Sequence, residues 1–333
     1  MESDVITDAT RVLTHSFPRP KRGESPSSTM DRAILILRSI REVGLVLAPE
    51  VIDWDLEKMV PGSQPLRLLQ KRLCLTEISP SELSEHSKIF GPLAITFDAE
   101  KAREAGALPV IYIPQAGSTS LSLLGLFCVN GAHHTKAVLG QLQQLNEWTD
   151  PEEAKKAFGN PLADDCLFTL NNSDAAGEIV ASHEVPAIQI RRVLQHVGFN
   201  NIPFEHSIAV LGVFLNMFCP TDNLHQNEKF GYYKQREWRL INSDIRFNGR
   251  PMGRDLTLAE KSSLTAIDSD FWNRTLEVDG KLIKRQDLAV IYEPTEEWSS
   301  VGMMNSIYAP SEAVERVQEA IGDGVLVLPR PHP

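Results

Sequence analysis

Short apolar runs of strand type alternate along the chain with longer segments of helical periodicity. Residues 12–17, 73–78 and 108–113 are rich in β-branched and aromatic residues, which predicts strands. Residues 30–43 and 120–148 instead repeat apolar positions every three or four residues, which predicts helices. Caps at Ser28, Thr29 or Asp31 fit the first helix, and Gly44 ends it. The pattern of residues 66–73 fits either a strand or a helix.

The second half of the chain continues the mixture. Residues 161–186 are polar and rich in turn formers, so a loop or insertion is predicted there. Residues 188–197 and 207–219 are predicted helices. Residues 276–278 and 281–283 flank Asp279 and Gly280, a pair that is typical of a β-hairpin turn.

Strands and helices mix without a steady βαβ alternation, so the predicted fold is α+β with a mixed, mostly antiparallel sheet flanked by helices. We expect a single α+β domain over 1–333, with its core at 10–115 and 228–330. A helical insertion is expected at approximately 120–228. The sequence contains neither GxGxxG nor GxxxxGK[ST], so neither a Rossmann cofactor site nor a P-loop is predicted.

Residues 231–240, GYYKQREWRL, combine two tyrosines, a tryptophan, an acid and three cationic side chains. Alternate residues of a strand point to the same side. One side would therefore carry Tyr233, Gln235, Glu237 and Arg239. A carboxylate between an amide and a guanidinium can hold a polar ligand through directional hydrogen bonds. The alternative is an edge strand with a solvated charged side and Trp238 in the core.

The net charge of −11 at pH 7 argues against a protein that coats nucleic acid and against one that binds a membrane surface. Both nucleic acid and membrane surfaces are anionic and would repel it. Basic residues cluster locally at Arg32, Arg38 and Arg41, so a basic groove that binds a nucleic-acid acceptor remains an alternative. Solvated helix faces are the alternative interpretation of such clusters.

The four cysteines form no CxxC pair, so we expect no zinc site and a reduced, cytoplasmic location. His133 and His134 are adjacent and point in different directions on a helix, so they are interpreted as polar surface. His86 follows a short acidic helix and is interpreted as its C-cap. We predict neither a signal peptide nor a membrane partner, because the most apolar run, 206–219, is too short to span a bilayer.

Residues 74–114 resemble the core motif of the AbiGi-type abortive-infection proteins of bacterial phage defence, in which a strand and a helix lead to two further strands. YYKQREWRLI at 232–241 is similar to a second signature of that family, and LTHSF with the helix after it is similar to a third. The chain departs from the family at three positions. Ser16–Phe17 follow the histidine where the family has Phe–Thr, Ala94 replaces a glycine, and Gln235 replaces a glutamate.

The order of these motifs is also similar to that of DarT-like ADP-ribosyltransferases, which have an early His or Arg near a strand end and a late glutamate. The resemblance implies an ADP-ribosyltransferase-like fold that moves ADP-ribose from NAD to a macromolecular acceptor, either protein or nucleic acid. Glu237 would then stabilise the oxocarbenium-like ribose as nicotinamide leaves, as glycosidase carboxylates do. Gln235 would orient the acceptor, and His15 would complete the catalytic set.

The same resemblance implies a set of NAD-binding side chains. Arg239 would meet a phosphate, and an aromatic ring of the 231–240 stretch would stack on nicotinamide. The full set is His15, Thr14, Tyr232, Tyr233, Arg239 and Glu77.

Two alternatives belong to other functional classes. Members of the AbiGi-type family are described as antitoxins, so the chain could instead bind and neutralise a toxin partner through the acidic helix at 81–86 or the inserted segment. The net negative charge of the chain suits a basic partner. A metal-dependent nuclease ranks last, because no compact carboxylate cluster is visible in the sequence.

Overall fold

A computed structural model describes most of the chain. The described residues are 12–57, 61–62, 64–113, 120–150, 152, 155, 167–174, 176–196, 204–220, 236–242, 252–278, 280–293 and 298–331. The chain divides into two compact units, the first formed by 1–129 with 213–333 and the second by 130–212.

Most strands of the first unit form one large sheet in the order β11-β14-β2-β3-β1-β4-β15-β16, with β10 paired to both β3 and β5. Every neighbouring pair in it is antiparallel except β15 and β16. The strands are β1 (Val12–Phe17), β2 (Val46–Trp54), β3 (Leu66–Thr76), β4 (Leu93–Asp98), β5 (Leu108–Pro109), β10 (Glu237–Ile241), β11 (Gly253–Asp255), β14 (Val290–Tyr292), β15 (Met304–Ala309) and β16 (Leu326–Pro329).

Three further strand pairs form small sheets. They are β6 (Ile111–Ile113) with β9 (Phe218–Pro220), β7 (Leu167–Ser173) with β8 (Ile179–Pro186), and β12 (Thr275–Val278) with β13 (Lys281–Lys284). The first pair is parallel and the other two are antiparallel hairpins. The predicted hairpin around Asp279 and Gly280 is confirmed.

The helices are α1 (Pro26–Glu42), α2 (Leu83–Phe90), α3 (Ala99–Glu104), α4 (Ser120–Thr149), α5 (Ala187–His196), α6 (Phe204–Asn216), α7 (Leu258–Ile267), α8 (Ser269–Trp272), α9 (Arg285–Leu288), α10 (Ser300–Met303) and α11 (Val314–Ile321). The predicted α+β class with a mixed, mostly antiparallel sheet is confirmed. Among the described residues, no helix combines the length and apolar character needed to cross a bilayer.

The side chains of β1, β3 and β10 alternate between two different environments. One side, the core face, carries Leu13, Phe17, Leu73, Leu75 and Leu240, which pack in the main hydrophobic cluster with residues of α1 and α11. The opposite side, the polar face, carries Thr14, Gln70, Cys74, Glu237 and Arg239. The register supports this division, since Glu237 lies opposite Thr76 and Arg239 opposite Cys74, and cross-strand partners point to the same side of a sheet.

Helix α1 begins four residues earlier than the sequence predicts. Ser25 is its N-cap, and the Ser25 hydroxyl accepts a hydrogen bond from the Ser28 backbone N–H. Pro26 then occupies the first helical position, where a missing N–H costs nothing. The predicted caps at Ser28 and Thr29 lie inside the helix instead.

Three further sequence predictions of secondary structure are wrong in part. Residues 108–113 do not form one strand, because Val110 separates β5 from β6 and donates its N–H to the Glu237 carbonyl at 2.9 Å. The helix predicted at 207–219 ends at Asn216, and Phe218 begins β9. The loop predicted at 161–186 contains the β7–β8 hairpin, whose turn is closed by Asp174.

The second unit consists of the β7–β8 hairpin, helix α5 and the adjoining parts of α4 and α6. The expectation of a single domain with a helical insertion stays a prediction.

Candidate functional site

The cluster formed by Gln70, Tyr112, Glu237 and Arg239, called here the Glu237 cluster, lies on the polar face. Strand β10 supplies the ion pair, in which Arg239 Nε donates to Glu237 Oε1 at 2.8 Å. The contact confirms that these two side chains share one side of a strand. Tyr233 and Gln235, expected on the same side, lie outside the described residues.

The guanidinium of Arg239 is 1% exposed and is held by groups of the protein. Its Nη1 donates to Gln70 Oε1 at 3.1 Å and to the carbonyl oxygens of Asn216 and Phe218 at 3.1 and 3.2 Å. Among the described residues, its Nη2 is buried without a hydrogen-bond partner. The cation predicted to meet a phosphate is therefore enclosed by β3, β9 and the end of α6.

The Glu237 carboxylate is almost as enclosed, with 11% of its side chain exposed. Its Oε2 accepts a hydrogen bond from the Tyr112 hydroxyl at 2.8 Å. Burial by itself would raise the pKa of Glu237, but the charge of Arg239 and the hydrogen bonds from Arg239 and Tyr112 outweigh it, so the pKa lies below its usual range. Glu237 is thus an ionised carboxylate at neutral pH.

Two free cysteines lie close to this ion pair. Cys74 is the cross-strand partner of Arg239, and Cys219 is the partner of Tyr112 in the β6–β9 pair. Burial raises the pKa of the Cys74 thiol to about 11, and the negative charge of Glu237 adds to this effect. Both thiols have raised pKa values and stay protonated at neutral pH, so they are not activated nucleophiles.

Thr14 and His15 are neighbours in sequence but point to different faces of the sheet. Thr14 lies opposite Thr76, the same residue that lies opposite Glu237, so the structure brings Thr14 to the polar face. His15 follows by one residue and points to the core face, where its ring stacks on Phe17.

His15 is held at the backbone of β3. Its Nδ1 forms a hydrogen bond of 2.8 Å with the Cys74 carbonyl. Burial lowers the pKa of His15 more than that hydrogen bond raises it, and the charge of Arg19 lowers it further. The imidazole is therefore neutral at neutral pH.

His86 occupies the interior of α2, because that helix continues to Phe90, so its interpretation as a C-cap is wrong. Its Nδ1 lies 3.0 Å from the Ser16 hydroxyl, and its ring stacks on Phe90. Burial lowers the pKa of His86 to about 4, and repulsion from His15 contributes. Nε2 of His86 is buried without a partner among the described residues.

Among the described residues, Glu77 is a sequence-predicted site residue that is not part of the Glu237 cluster. Glu77 follows β3, and its backbone N–H donates to the Arg236 carbonyl at 3.3 Å. Its carboxylate makes no ion pair within the described part of the chain. Tyr232, Tyr233 and Gln235 lie outside the described residues.

Sequence reasoning missed Gln70 and Tyr112. Gln70 is 1% exposed, but Lys71 and Arg72 follow it directly in the sequence, so nothing local indicates that it is buried. Tyr112 lies in the apolar run at 108–113, where its hydroxyl is the only polar side-chain group. Nothing in their sequence positions relates either residue to Glu237.

The rest of the described structure offers no metal site but does contain a cavity. Among the described residues, no group of three or more His, Cys, Asp or Glu side chains could hold a metal ion. A cavity of about 180 Å³ opens where α1 ends, and its lining includes Arg41, Gly44, Tyr292, Trp298 and Ser300. None of its lining residues belongs to the Glu237 cluster.

Comparison with protein families accounts for the central part of the chain. The family model described as "Putative abortive phage resistance protein AbiGi, antitoxin" matches residues 69–294, about two thirds of the sequence. The chain belongs to the AbiGi family. The matched span holds all four residues of the Glu237 cluster, whereas Thr14 and His15 precede it. No curated protein and no solved structure matches the chain.

Proposed function

We propose that this AbiGi protein is the antitoxin of an abortive-infection pair and neutralises its toxin by binding it as a protein. The family description supports this function, and the observation that carries it is the state of Glu237. Its carboxylate is held by Arg239 and Tyr112, both at 2.8 Å, so the acid that transfer chemistry would need is part of a buried ion pair. Binding, unlike catalysis, requires no free carboxylate there.

Co-expression provides the test. The product of the neighbouring gene is expressed alone, with this chain, and with a Glu237→Gln variant that keeps the side-chain shape. Circular dichroism verifies that this variant is folded, because Arg239 loses its carboxylate partner in it. We expect the neighbouring product to arrest growth, and both forms of this chain to restore growth and to co-purify with it. Growth arrest that this chain does not relieve would overturn the proposal.

The second candidate function is transfer of ADP-ribose from NAD. The strand register favours it, because Thr14 and Glu237 both lie opposite Thr76 and so share the polar face. In this reaction the bond from ribose C1′ to the nicotinamide nitrogen breaks, and C1′ bonds to an acceptor atom that loses a proton. Glu237 would stabilise the positive charge that develops on the ribose. Thr14 would contact the same ligand from this face, whereas His15 points to the other side of β1.

NAD binding separates the two candidates. Calorimetry with NAD is carried out on the wild type and on Glu237→Gln, followed by labelled-NAD transfer to protein, DNA and RNA. Transfer that is lost in Glu237→Gln, with binding retained, would favour the enzyme. Absence of NAD binding to both forms would remove the enzyme and leave the antitoxin. A cytoplasmic location is part of both proposals.

A further inference from the structure

We propose that the β7–β8 hairpin is the surface by which this chain holds its toxin, and that the occupant is a protein with a basic surface around an apolar cleft. This inference rests on the antitoxin function proposed above and names where and how that partner is bound. It concerns the second unit alone and uses no residue of the Glu237 cluster.

The hairpin exposes apolar side chains that do not contribute to its own stability. Leu167 is 52% exposed, and Ile179 and Val180 are each 61% exposed. Strands β7 and β8 form a sheet of their own, and no third strand pairs with them within the described part of the chain. A two-stranded hairpin gains little stability in water unless another element covers it. Ile179 and Val180 lie next to each other at the turn end of the hairpin, where Ile179 pairs with Ser173, whereas Leu167 pairs with Pro186 at the open end. The apolar contact that we propose is therefore centred on Ile179 and Val180.

The hairpin is nevertheless a well-defined structure. At its turn, Asp174 Oδ1 accepts hydrogen bonds from the backbone N–H groups of Ala176 at 2.9 Å and Glu178 at 3.0 Å. Across the strands, the Ser182 hydroxyl donates to Asn171 Oδ1 at 2.7 Å. Asp174 therefore shapes the turn. A binding surface preformed in this way loses less conformational entropy on association.

The charge of the hairpin identifies the class of partner. Between Leu167 and Pro186 the chain carries three acids, Asp174, Glu178 and Glu184, and neither lysine nor arginine. Glu178 and Glu184 are exposed, and neither has an ion-pair partner in the described part of the structure. Glu178 beside Ile179, and Glu184 further along β8, match a basic rim around an apolar cleft.

The same charge disfavours two other occupants. Nucleic acid is an anion and is repelled by an acidic surface. A second copy of this chain also carries a net charge of −11 and would place the same acids against each other. A basic protein is the occupant that both the apolar and the charged side chains fit.

The β12–β13 hairpin provides a matched control within the same chain. It too forms a two-stranded sheet, and its Leu282 is 74% exposed. Its strands carry Lys281 and Lys284, so its charge suits a different partner. Leu282→Ser changes an exposed apolar residue on a hairpin without touching β7 or β8.

The test measures binding of the full-length chain to the purified product of the neighbouring gene, at several salt concentrations. The variants are Ile179→Ser with Val180→Ser, Glu178→Gln with Glu184→Gln, and the control Leu282→Ser. Circular dichroism and melting verify that each variant is folded, which the exposure of every altered side chain favours. Size-exclusion chromatography reports the oligomeric state.

We expect the serine pair to weaken binding at least about tenfold with an unchanged salt dependence. The glutamine pair should weaken binding at low salt and reduce the salt dependence. Leu282→Ser should bind like the wild type.

Three outcomes would count against the proposal, and they are distinguishable. If the wild type binds and both hairpin variants bind equally well, the hairpin proposal is overturned and the antitoxin function stands. If the hairpin variants instead convert a dimer of this chain into a monomer, the occupant is a second copy and the proposal fails. If the wild type does not bind the neighbouring product, the antitoxin function fails as well.

Discussion

Arg239 and Glu237 form an ion pair that links the large sheet to the small β6–β9 sheet. The two residues lie on β10, and the guanidinium also reaches Gln70 on β3 and the Phe218 carbonyl on β9. Tyr112 on β6 completes the connection through the Glu237 carboxylate. A single pair of charges thus contacts four strands of two sheets.

Removal of Arg239 should be strongly destabilising. Arg239→Met would leave the Glu237 carboxylate buried without its cation, which costs about 3–5 kcal/mol in comparable buried pairs. Urea denaturation of the purified protein measures this difference.

The exposed ion pair between Arg316 and Asp31 is the control for that experiment. The two groups lie 2.6 Å apart, with side chains 53% and 58% exposed. Arg316→Ala should change the free energy of unfolding by less than about 1 kcal/mol. Equal effects of the two substitutions would contradict the structural role of Arg239. The result also bears on activity assays, because an alanine at Glu237 would lower the amount of folded protein.

His86 should make stability depend on pH between about 4 and 6.5. Its pKa is about 4 in the folded protein and near 6.5 in the unfolded chain. In that range the unfolded chain binds more protons, so stability falls as the pH is lowered from 6.5 towards 4. His86→Gln should flatten this dependence and retain a hydrogen bond to Ser16.

Denaturation at a series of pH values tests the His86 prediction. His15 also has a lowered pKa, so part of the slope should remain in His86→Gln. A profile identical to that of the wild type would show that His86 is protonated equally in both states.

Gly91 should not tolerate a side chain. Its φ is +130°, and a Cβ there would lie 2.4 Å from the Phe17 carbonyl carbon and 2.5 Å from the Pro18 oxygen, both backbone atoms. Gly91→Ala should therefore lower the free energy of unfolding by at least about 3 kcal/mol.

A Gly23→Ala variant is the control that distinguishes the effect of close contacts from that of backbone conformation. Its φ is +80°, but no heavy atom lies within 4 Å of the position that a Cβ would occupy. Gly23→Ala should cost only about 1–2 kcal/mol. Thermal melting of the two variants measures the difference, and similar melting temperatures would count against the close contact at Gly91.

Thr14→Val should be neutral or stabilising. Thr14 is 1% exposed, and its hydroxyl is buried without a hydrogen-bond partner among the described residues. Replacing it by a methyl group removes an unsatisfied polar atom, which is worth about 1 kcal/mol. Chemical denaturation of the variant gives the value.

Thr96→Val, on the neighbouring strand β4, should instead be destabilising. The Thr96 hydroxyl lies 2.8 Å from the Ser306 hydroxyl and accepts from the Ser306 N–H at 3.1 Å. Its loss should cost about 1–3 kcal/mol. If Thr14→Val were as damaging as Thr96→Val, the Thr14 hydroxyl would have a partner in solution.

Much of the architecture could be predicted from local sequence pattern. Alternation and capping signals suffice for β1, for α3 after Asp98 and for the β12–β13 hairpin, because neighbouring residues decide each of them. The β7–β8 hairpin was not predictable, since strands that are largely exposed to solvent lack the apolar alternation that signals burial. The split of 108–113 depends on hydrogen bonds to Glu237 and Met217, which are distant in sequence.

The candidate site was predictable in part for the same reason. Period two places Glu237 beside Arg239 because the two residues share one strand. Sequence position cannot show that Tyr112 and Gln70 complete the cluster, since strand pairing brings them there. Nor can motif order separate Thr14 from His15, because only the register of β1 against β3 assigns them to different faces.

The order of strands in the large sheet has a consequence during synthesis on the ribosome. Strand β4 lies between β1 and β15, and its Thr96 bonds to Ser306, 210 residues later. Until β15 has been translated, β4 is an open edge of apolar residues, and such edges pair readily with other chains. Pairings over such long sequence separations also form slowly. We therefore expect nascent chains that stop before residue 304 to depend on chaperones and to aggregate when these are depleted.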